Sequence, residues 1–312
     1  MSTEEHKRIT IPAALAQVLG ERGLPTVSYY ELAVATWRLC KRTELNGVPL
    51  RAHKAHLDWA AFNRYHQLML RNGILRPISG ITGPPVYLLI GAAVTDAKVL
   101  ACAADPFCYI SHLSAMEFHG LTDRMPEQLY ISSPAHGPWK EFADEQMQKD
   151  LGAEFDDYIN ARLPQLQRSR PEKLLGKPVH QVTSIHLGAF RHLKDQHIRV
   201  ATRGRTFLDM LREPQLCGGI NHVLDVFREH AQSSLRLILD ELDQHGKPIE
   251  KVRAGWILEA LCHIRDVRID AWTAFAQRGG SRKLDASADY SADFSERWAL
   301  SLNVPILINE QT

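Results

Sequence analysis

Residues 71–91, RNGILRPISGITGPPVYLLIG, constrain the fold of this chain more than any other segment. Two β-prone runs, 74–78 and 86–90, flank a turn that is rich in glycine and proline. This pattern predicts a β-hairpin with a flexible tip. The elements that precede the hairpin decide which kind of domain it completes.

Three helices are predicted before the hairpin. The first covers about residues 12–22 and ends at Gly23. The second begins at Ser28, because a serine followed three residues later by Glu31 is the pattern of a capping box, and it fades at Asn46-Gly47. The third covers about residues 57–71. Three helices followed by a hairpin are the element order of a winged helix-turn-helix, so we predict a winged-helix DNA-binding domain over residues 1–91.

The third predicted helix has one apolar face and one polar face. At about 100° per residue, the face predicted to be buried comprises Leu57, Ala61, Phe62, Tyr65, Leu68 and Met69. The opposite face carries Asn63, Arg64, His66, Gln67 and Arg71, with Trp59 and Leu70 among them. A solvated amphipathic helix is one interpretation of this face, and a DNA-reading surface is the other.

Six side chains are the candidate DNA contacts, because amides pair with adenine edges and guanidinium and ammonium groups pair with guanine or phosphate. They are Lys54, Asn63, Arg64, Gln67, Arg71 and Arg76. We predict that the two amides read base edges and that Arg64, Arg71 and Lys54 hold phosphates. Arg76, at the base of the hairpin, is the candidate phosphate contact of the wing.

The distribution of charge favours the DNA-binding interpretation. The whole chain has 37 basic and 36 acidic residues, a formal net charge of +1. Residues 1–80 contain 11 Lys and Arg against 6 Asp and Glu, a surplus of 5. The remaining 26 basic and 30 acidic residues leave a deficit of 4, so the basic surplus lies at the N-terminus.

The composition predicts a cytoplasmic protein that does not contact a membrane. No run approaches the roughly 18 consecutive apolar residues that a membrane span needs. The start, MSTEEHKRIT, lacks the apolar core of a signal peptide. The five cysteines are widely spaced and include no CxxC pair, so we predict reduced thiols and no metal site.

Residues 92–312 are predicted to form a larger, mixed α/β C-terminal domain, which makes the whole chain α+β. Short strands are predicted near residues 128–133, 179–185 and 197–201. Two separate helices are predicted over residues 217–230 and 234–244.

No motif supports an enzyme or a bound cofactor. His112 and His119 are seven residues apart, so they lack the four-residue spacing of an HExxH zinc site. Arg205, Asp209 and Arg212 follow at spacings of four and three, which is typical of a salt-bridged helix. Neither a GxSxG motif nor a glycine-rich phosphate loop is present.

Three segments resemble AbiEi-type antitoxins, the antitoxin and transcriptional regulator components of abortive-infection systems. They are residues 105–132, 204–227 and 295–305, and they lie in order across about 200 residues. The positions that fit the family pattern are Tyr109, Ser111, His112, Leu113, Ser114, Arg205, Thr206, Asp209, Gly218 and Gly219. The N-terminal 80 residues differ from the short helix-turn-helix of the family, so its base-reading residues are not transferred.

The resemblance implies an N-terminal winged helix that represses its own operon, joined to a C-terminal domain, residues 92–312, that neutralises a toxin. It also implies a nucleotidyltransferase-like toxin that is opposed without a stable complex. The expected DNA partner is the chain's own promoter, with a dimer bound to inverted repeats. Two alternatives stay open: a stand-alone winged-helix regulator, and an enzyme that acts on nucleotides.

Overall fold

The computed structural model describes residues 8–51, 57–184, 189–276 and 282–304. Within these ranges the chain forms eleven α-helices: α1 (Ile11–Glu21), α2 (Tyr29–Cys40), α3 (Trp59–Arg71), α4 (Ala97–Ala104), α5 (His112–Phe118), α6 (His136–Leu151), α7 (Phe155–Asn160), α8 (Arg203–Arg212), α9 (Ile220–His245), α10 (Pro248–Trp256) and α11 (Val267–Ala271). The same ranges contain sixteen strands: β1 (Ile9–Thr10), β2 (Thr26–Ser28), β3 (Glu44–Leu45), β4 (Val48–Arg51), β5 (Leu75–Pro77), β6 (Ile81–Thr82), β7 (Val86–Leu89), β8 (Tyr109–Ile110), β9 (Leu129–Pro134), β10 (Arg170–Pro171), β11 (Lys173–Leu174), β12 (Lys177–Ser184), β13 (Phe190–Leu193), β14 (Ile198–Ala201), β15 (Phe294–Ser295) and β16 (Leu300–Ser301).

The chain divides into two compact units, each built from several segments. Unit 1 comprises the described residues of Met1–Cys108, Ser133–Ile185 and Lys194–Ile198. Unit 2 comprises those of Tyr109–Ser132, His186–Leu193 and Arg199–Thr312. Both units combine helices with small sheets, which confirms the predicted α+β class. Unit 1 continues past Gly91, where the sequence predicts the end of the first domain.

Helix α2 begins directly after its capping residue, Ser28. The predicted capping box of α2 is confirmed, because Ser28 Oγ accepts from the Glu31 amide and a Glu31 carboxylate oxygen accepts from the Ser28 amide. The predicted end of this helix is wrong: it stops at Cys40, and Asn46-Gly47 instead forms the turn between β3 and β4. Both turn residues have positive φ, as a two-residue hairpin turn requires.

A three-stranded antiparallel sheet in unit 1 has the order β2-β7-β5. Strand β7 pairs with β2 on one side and with β5 on the other, so the predicted hairpin of β5 and β7 is present. Helices α1, α2 and α3 share one hydrophobic core with this sheet, which includes Leu15, Leu32, Phe62 and Tyr87. A second hairpin of unit 1 is formed by β11 and β12.

Unit 2 contains strands in the order β9-β8-β14-β13 and a group of helices around α9. Strand β8 is antiparallel to β9 and parallel to β14. The two helices predicted over residues 217–230 and 234–244 are one helix, α9, because the intervening Ala231 and Ser234 are buried and continue its apolar face. At Gly204 on α8, an added Cβ atom would lie 2.3 Å from the Leu237 carbonyl oxygen, so only glycine allows these two helices to pack this closely.

Candidate nucleic-acid interface

Helix α3 presents polar and cationic side chains on one face. Arg64, Gln67 and Arg71 are exposed, and Asn63 is half-buried. The Arg64 guanidinium carbon lies 5.3 Å from the centre of the Tyr65 ring, within cation–π range. Neither Arg64 nor Arg71 forms an ion pair with another described residue.

The opposite face of α3 fixes the helix in the core of unit 1. The Asp58 side chain accepts from the Ala61 amide at 2.8 Å and caps the first turn. Phe62 and Met69 are fully buried. The amphipathic character predicted for this helix is confirmed, since its buried and exposed residues lie on opposite sides.

Two residues of α3 lie on the other side from the one predicted. Helical projection places His66 on the polar outer face, but the residue is buried, and its Nε2 lies 2.8 Å from the Tyr87 hydroxyl. Its ring also stacks on Phe62 and contacts Tyr29, so an aromatic pocket with one polar partner accommodates an imidazole. Leu68, assigned to the core, is exposed. The outer face of α3 therefore includes Leu68 and does not include His66.

The burial of His66 predicts a pH-dependent contribution to stability. Burial lowers the pKa of His66 below its ordinary value of 6.5. The unfolded chain then takes up a proton at a higher pH than the folded chain does, so the unfolding free energy is at its full value above pH 6.5 and falls as the pH is lowered towards the folded pKa. We expect His66→Gln to weaken this fall, as measured by urea unfolding at about pH 7.5 and about pH 5.5.

Two further histidines contribute to the same pH dependence of stability. Burial also lowers the pKa values of His119 and His222, and both stay in the variant, so part of the fall persists. An identical pH dependence for the variant and the wild type would show that His66 does not contribute.

The hairpin of β5 and β7 supplies one further candidate contact. Arg76 pairs in register with Leu88, and its side chain is exposed. It forms no ion pair within the described ranges of the chain. Lys54, the remaining candidate, lies outside the described residues.

The tip of this hairpin is held in place, so the prediction of a flexible tip is wrong. Strand β6 within the tip pairs with β10, with Thr82 opposite Arg170. The Glu172 amide donates to the Gly80 carbonyl oxygen at 2.8 Å. An added Cβ atom at Gly80 would lie 1.8 Å from the Lys173 carbonyl oxygen, and φ there is +76°, so the position needs glycine. These contacts come from residues about 90 positions later, which no local pattern reveals.

Unit 2 contains a chain of hydrogen-bonded polar side chains that was not predicted. Ser132 Oγ donates to Ser111 Oγ at 2.9 Å, and His112 Nδ1 lies 2.8 Å from Ser111 Oγ. His112 Nε2 lies 2.8 Å from a carboxylate oxygen of Glu213. Serine, histidine and a carboxylate are the groups of a nucleophilic triad, but the Ser111 hydroxyl is fully buried and cannot reach a substrate. We assign a structural role to this hydrogen-bonded row of side chains.

The spacing of Arg205 and Asp209 correctly predicted an ion pair within one helix. Arg205 Nε donates to Asp209 Oδ1 at 2.7 Å, and both side chains are buried. Arg212 pairs instead with Glu250 on α10 at 2.7 Å. Most positions that resemble the antitoxin family, including His112 and Arg205, are buried in unit 2, so they build its interior.

Two kinds of feature are not found among the described residues. None of the helices there is long and apolar enough to cross a membrane. The same ranges contain no group of three or more His, Cys, Asp or Glu side chains placed to hold a metal ion.

No protein-family model matches the chain, and no curated protein matches it. Among solved structures, the chain is similar to the crystal structure of the RV2827C protein from Mycobacterium tuberculosis, with a TM-score of 0.50 and 14% sequence identity. The similarity covers 100% of this chain and 99% of that chain. At this identity the similarity concerns the fold alone. We conclude that the chain shares its overall fold with that mycobacterial protein.

Proposed function

We propose that this protein binds duplex DNA through a winged helix made of α1, α2, α3 and the β5–β7 hairpin, and that it represses its own operon as an antitoxin. The observation that carries the DNA-binding part is the set of exposed arginines on α3 and β5. Arg64, Arg71 and Arg76 have no anionic partner among the described residues. Guanidinium groups in this state suit phosphate oxygens.

The sign of the charge around these arginines supports the proposal. Residues 57–91 contain three basic residues and a single acidic one, Asp58. The Asp58 carboxylate accepts a hydrogen bond from the Ala61 amide as the N-cap of α3. The surface formed by α3 and the hairpin therefore attracts a polyanion.

Each candidate residue has a distinct role in this proposal. α3 acts as the recognition helix, on which Asn63 and Gln67 face base edges in the major groove. Arg64 and Arg71 neutralise phosphates beside them, and Arg76 contacts a phosphate from the hairpin. Two copies bind the two halves of an inverted repeat.

Removing two of the arginines tests the proposal. We expect Arg64→Ala combined with Arg71→Ala to weaken binding to the chain's own promoter fragment by about 10-fold or more. Each phosphate contact releases counterions from the DNA, and this contribution disappears with the contact. The slope of log K against log salt should become shallower by about 2. Fluorescence anisotropy titrations at several salt concentrations measure both quantities.

Matched variants separate this effect from a general loss of charge. Arg236→Ala combined with Arg265→Ala removes two exposed arginines of unit 2 and should leave affinity and slope unchanged. Asn63→Ala combined with Gln67→Ala should keep the salt slope and reduce discrimination between the promoter and unrelated DNA. If the Arg64 and Arg71 variant binds like the wild type, α3 is not the recognition helix.

The antitoxin part of the proposal rests on the resemblance of residues 105–132, 204–227 and 295–305 to AbiEi-type antitoxins. In this proposal the protein acts in the cytoplasm against a nucleotidyltransferase-like toxin, without a stable complex. Co-expression with the product of the adjacent gene in a growth assay tests it, since an antitoxin restores growth. Toxicity that persists despite a functional repressor would leave a stand-alone regulator. A tightly bound nucleotide in the purified protein would instead favour an enzyme.

A further inference from the structure

The hairpin of β11 and β12 ends in a turn that is unusual for its sequence. Lys173 pairs with Pro178 and Leu174 pairs with Lys177, so the turn has only two residues, Leu175 and Gly176. Their φ values are +50° and +82°. Turns of this kind favour asparagine or aspartate at the first position, because a leucine side chain is disfavoured in the left-handed region.

Leu175 is one of the exposed large apolar residues of the described chain. The residue is 57% exposed, so more than half of its surface stays in contact with water. Its backbone conformation is also one that leucine rarely adopts. Leu175 is thus an apolar side chain at the tip of a tight hairpin, in a backbone conformation that is unfavourable for leucine. Such a side chain is a candidate for contact with a partner.

Cationic side chains surround this tip. Residues 168–177 contain four basic residues and one acidic residue. Arg168 is used internally, since its Nη2 donates to Ser133 Oγ at 2.7 Å. Arg170 and Lys173 are exposed and Lys177 is half-buried, and none of the three forms an ion pair with a described residue.

The β11–β12 hairpin is attached to the β5–β7 hairpin, which belongs to the proposed DNA-binding domain. Strand β10, which directly precedes β11, pairs with β6 in the tip of the β5–β7 hairpin. The Lys173 amide donates to the Gly80 carbonyl oxygen at 3.2 Å. The two hairpins are therefore joined by backbone hydrogen bonds at the tip of the β5–β7 hairpin.

We infer that the β11–β12 hairpin is a second DNA-contacting arm, in which Leu175 inserts between base pairs from the minor groove while Arg170, Lys173 and Lys177 contact the flanking phosphates. This inference rests on the proposed function. Apolar side chains that enter the minor groove unstack a base step and bend the duplex, and adjacent cations neutralise the backbone that the bend brings closer. In this inference the arm increases the affinity for DNA and bends the duplex, and it makes no contact with base edges in the major groove.

Leu175→Asn tests the inference, because asparagine tolerates the left-handed conformation but cannot act as an apolar wedge. We expect the melting temperature to stay the same or rise, while Kd for the promoter fragment increases by roughly 10-fold or more, the effect of losing the burial of one leucine side chain. The bend angle, measured by fluorescence energy transfer between the ends of the DNA, should decrease. Met125→Asn, at a methionine of unit 2 that is 75% exposed, serves as the control and should change neither quantity.

Two further measurements identify the groove and the cations. A minor-groove-binding dye should weaken binding of the wild type towards the level of Leu175→Asn, with little further effect on that variant. Lys173→Ala combined with Lys177→Ala should make the salt slope shallower by about 2.

The outcomes separate this inference from the proposed function. If the wild type does not bind duplex DNA, both are wrong. If the Arg64 and Arg71 variant loses affinity but Leu175→Asn keeps the affinity and the bend of the wild type, only the arm is wrong. A change in oligomeric state of Leu175→Asn with unchanged DNA affinity would assign the tip to protein contact and overturn the inference.

Discussion

Arg205→Ala is expected to lower the unfolding free energy by about 3–5 kcal/mol, the effect of removing one partner from a buried ion pair. Arg205 and Asp209 are 4% and 1% exposed, and they are joined by a hydrogen bond of 2.7 Å. Without the guanidinium group, the Asp209 carboxylate stays buried with no cation at this distance. The substitution also removes a favourable charge interaction from Glu241, because burial raises the pKa of Glu241 and the positive charge of Arg205 opposes that rise.

A paired apolar replacement is the control for this prediction. Within the described residues, Arg205 Nη1 and Asp209 Oδ2 are buried without a hydrogen-bond partner, so the pair is incompletely satisfied. Arg205→Met combined with Asp209→Leu should therefore be close to the wild type or more stable. Urea unfolding, together with hydrogen exchange of the α8 and α9 amides, measures both variants. A loss below about 1 kcal/mol for Arg205→Ala would show that the pair is hydrated in solution.

Local sequence patterns predicted the elements that are stabilised locally. The capping box at Ser28 and Glu31 needs only two residues three positions apart, and the structure contains it. The amphipathic face of α3 follows from helical periodicity in the same way. The Asn46-Gly47 dipeptide is also a local signal, because it favours a two-residue hairpin turn, and it forms the turn between β3 and β4 and not the end of a helix.

Features that depend on distant residues could not be predicted from such patterns. His66 is buried because Tyr87, 21 residues later, provides a partner for its ring nitrogen. Glu213 lies 101 residues from His112, so the hydrogen-bonded chain through Ser111 has no signature in the sequence. The anchoring of the hairpin tip by Arg170 and Pro171 is a third case. In the candidate interface, helical geometry identified the exposed arginines, but it gave no indication of the second hairpin.

Trp298→Ala is expected to lower the unfolding free energy by about 3–5 kcal/mol, because it leaves a large cavity in the core of unit 2. Trp298 is 1% exposed, and its Nε1 donates to a carboxylate oxygen of Glu259 at 2.7 Å. Its ring lies against Gly255 on α10, where an added Cβ atom would come within 2.1 Å of a ring carbon. Gly255→Ala alone should therefore lower the unfolding free energy by about 1–3 kcal/mol, because the added methyl group overpacks this contact.

The double variant Gly255→Ala with Trp298→Ala tests this explanation. The added methyl group then enters space that the indole ring has left, so the combined loss should be smaller than the sum of the two single losses by about 1 kcal/mol or more. Urea unfolding of the four proteins of this cycle measures the coupling. Glu259 also accepts from Arg297 Nε at 2.9 Å, so its carboxylate keeps a partner after the tryptophan is removed, and the cycle reports chiefly on packing. Additive losses would mean that Gly255 is needed for a reason other than its contact with the Trp298 ring.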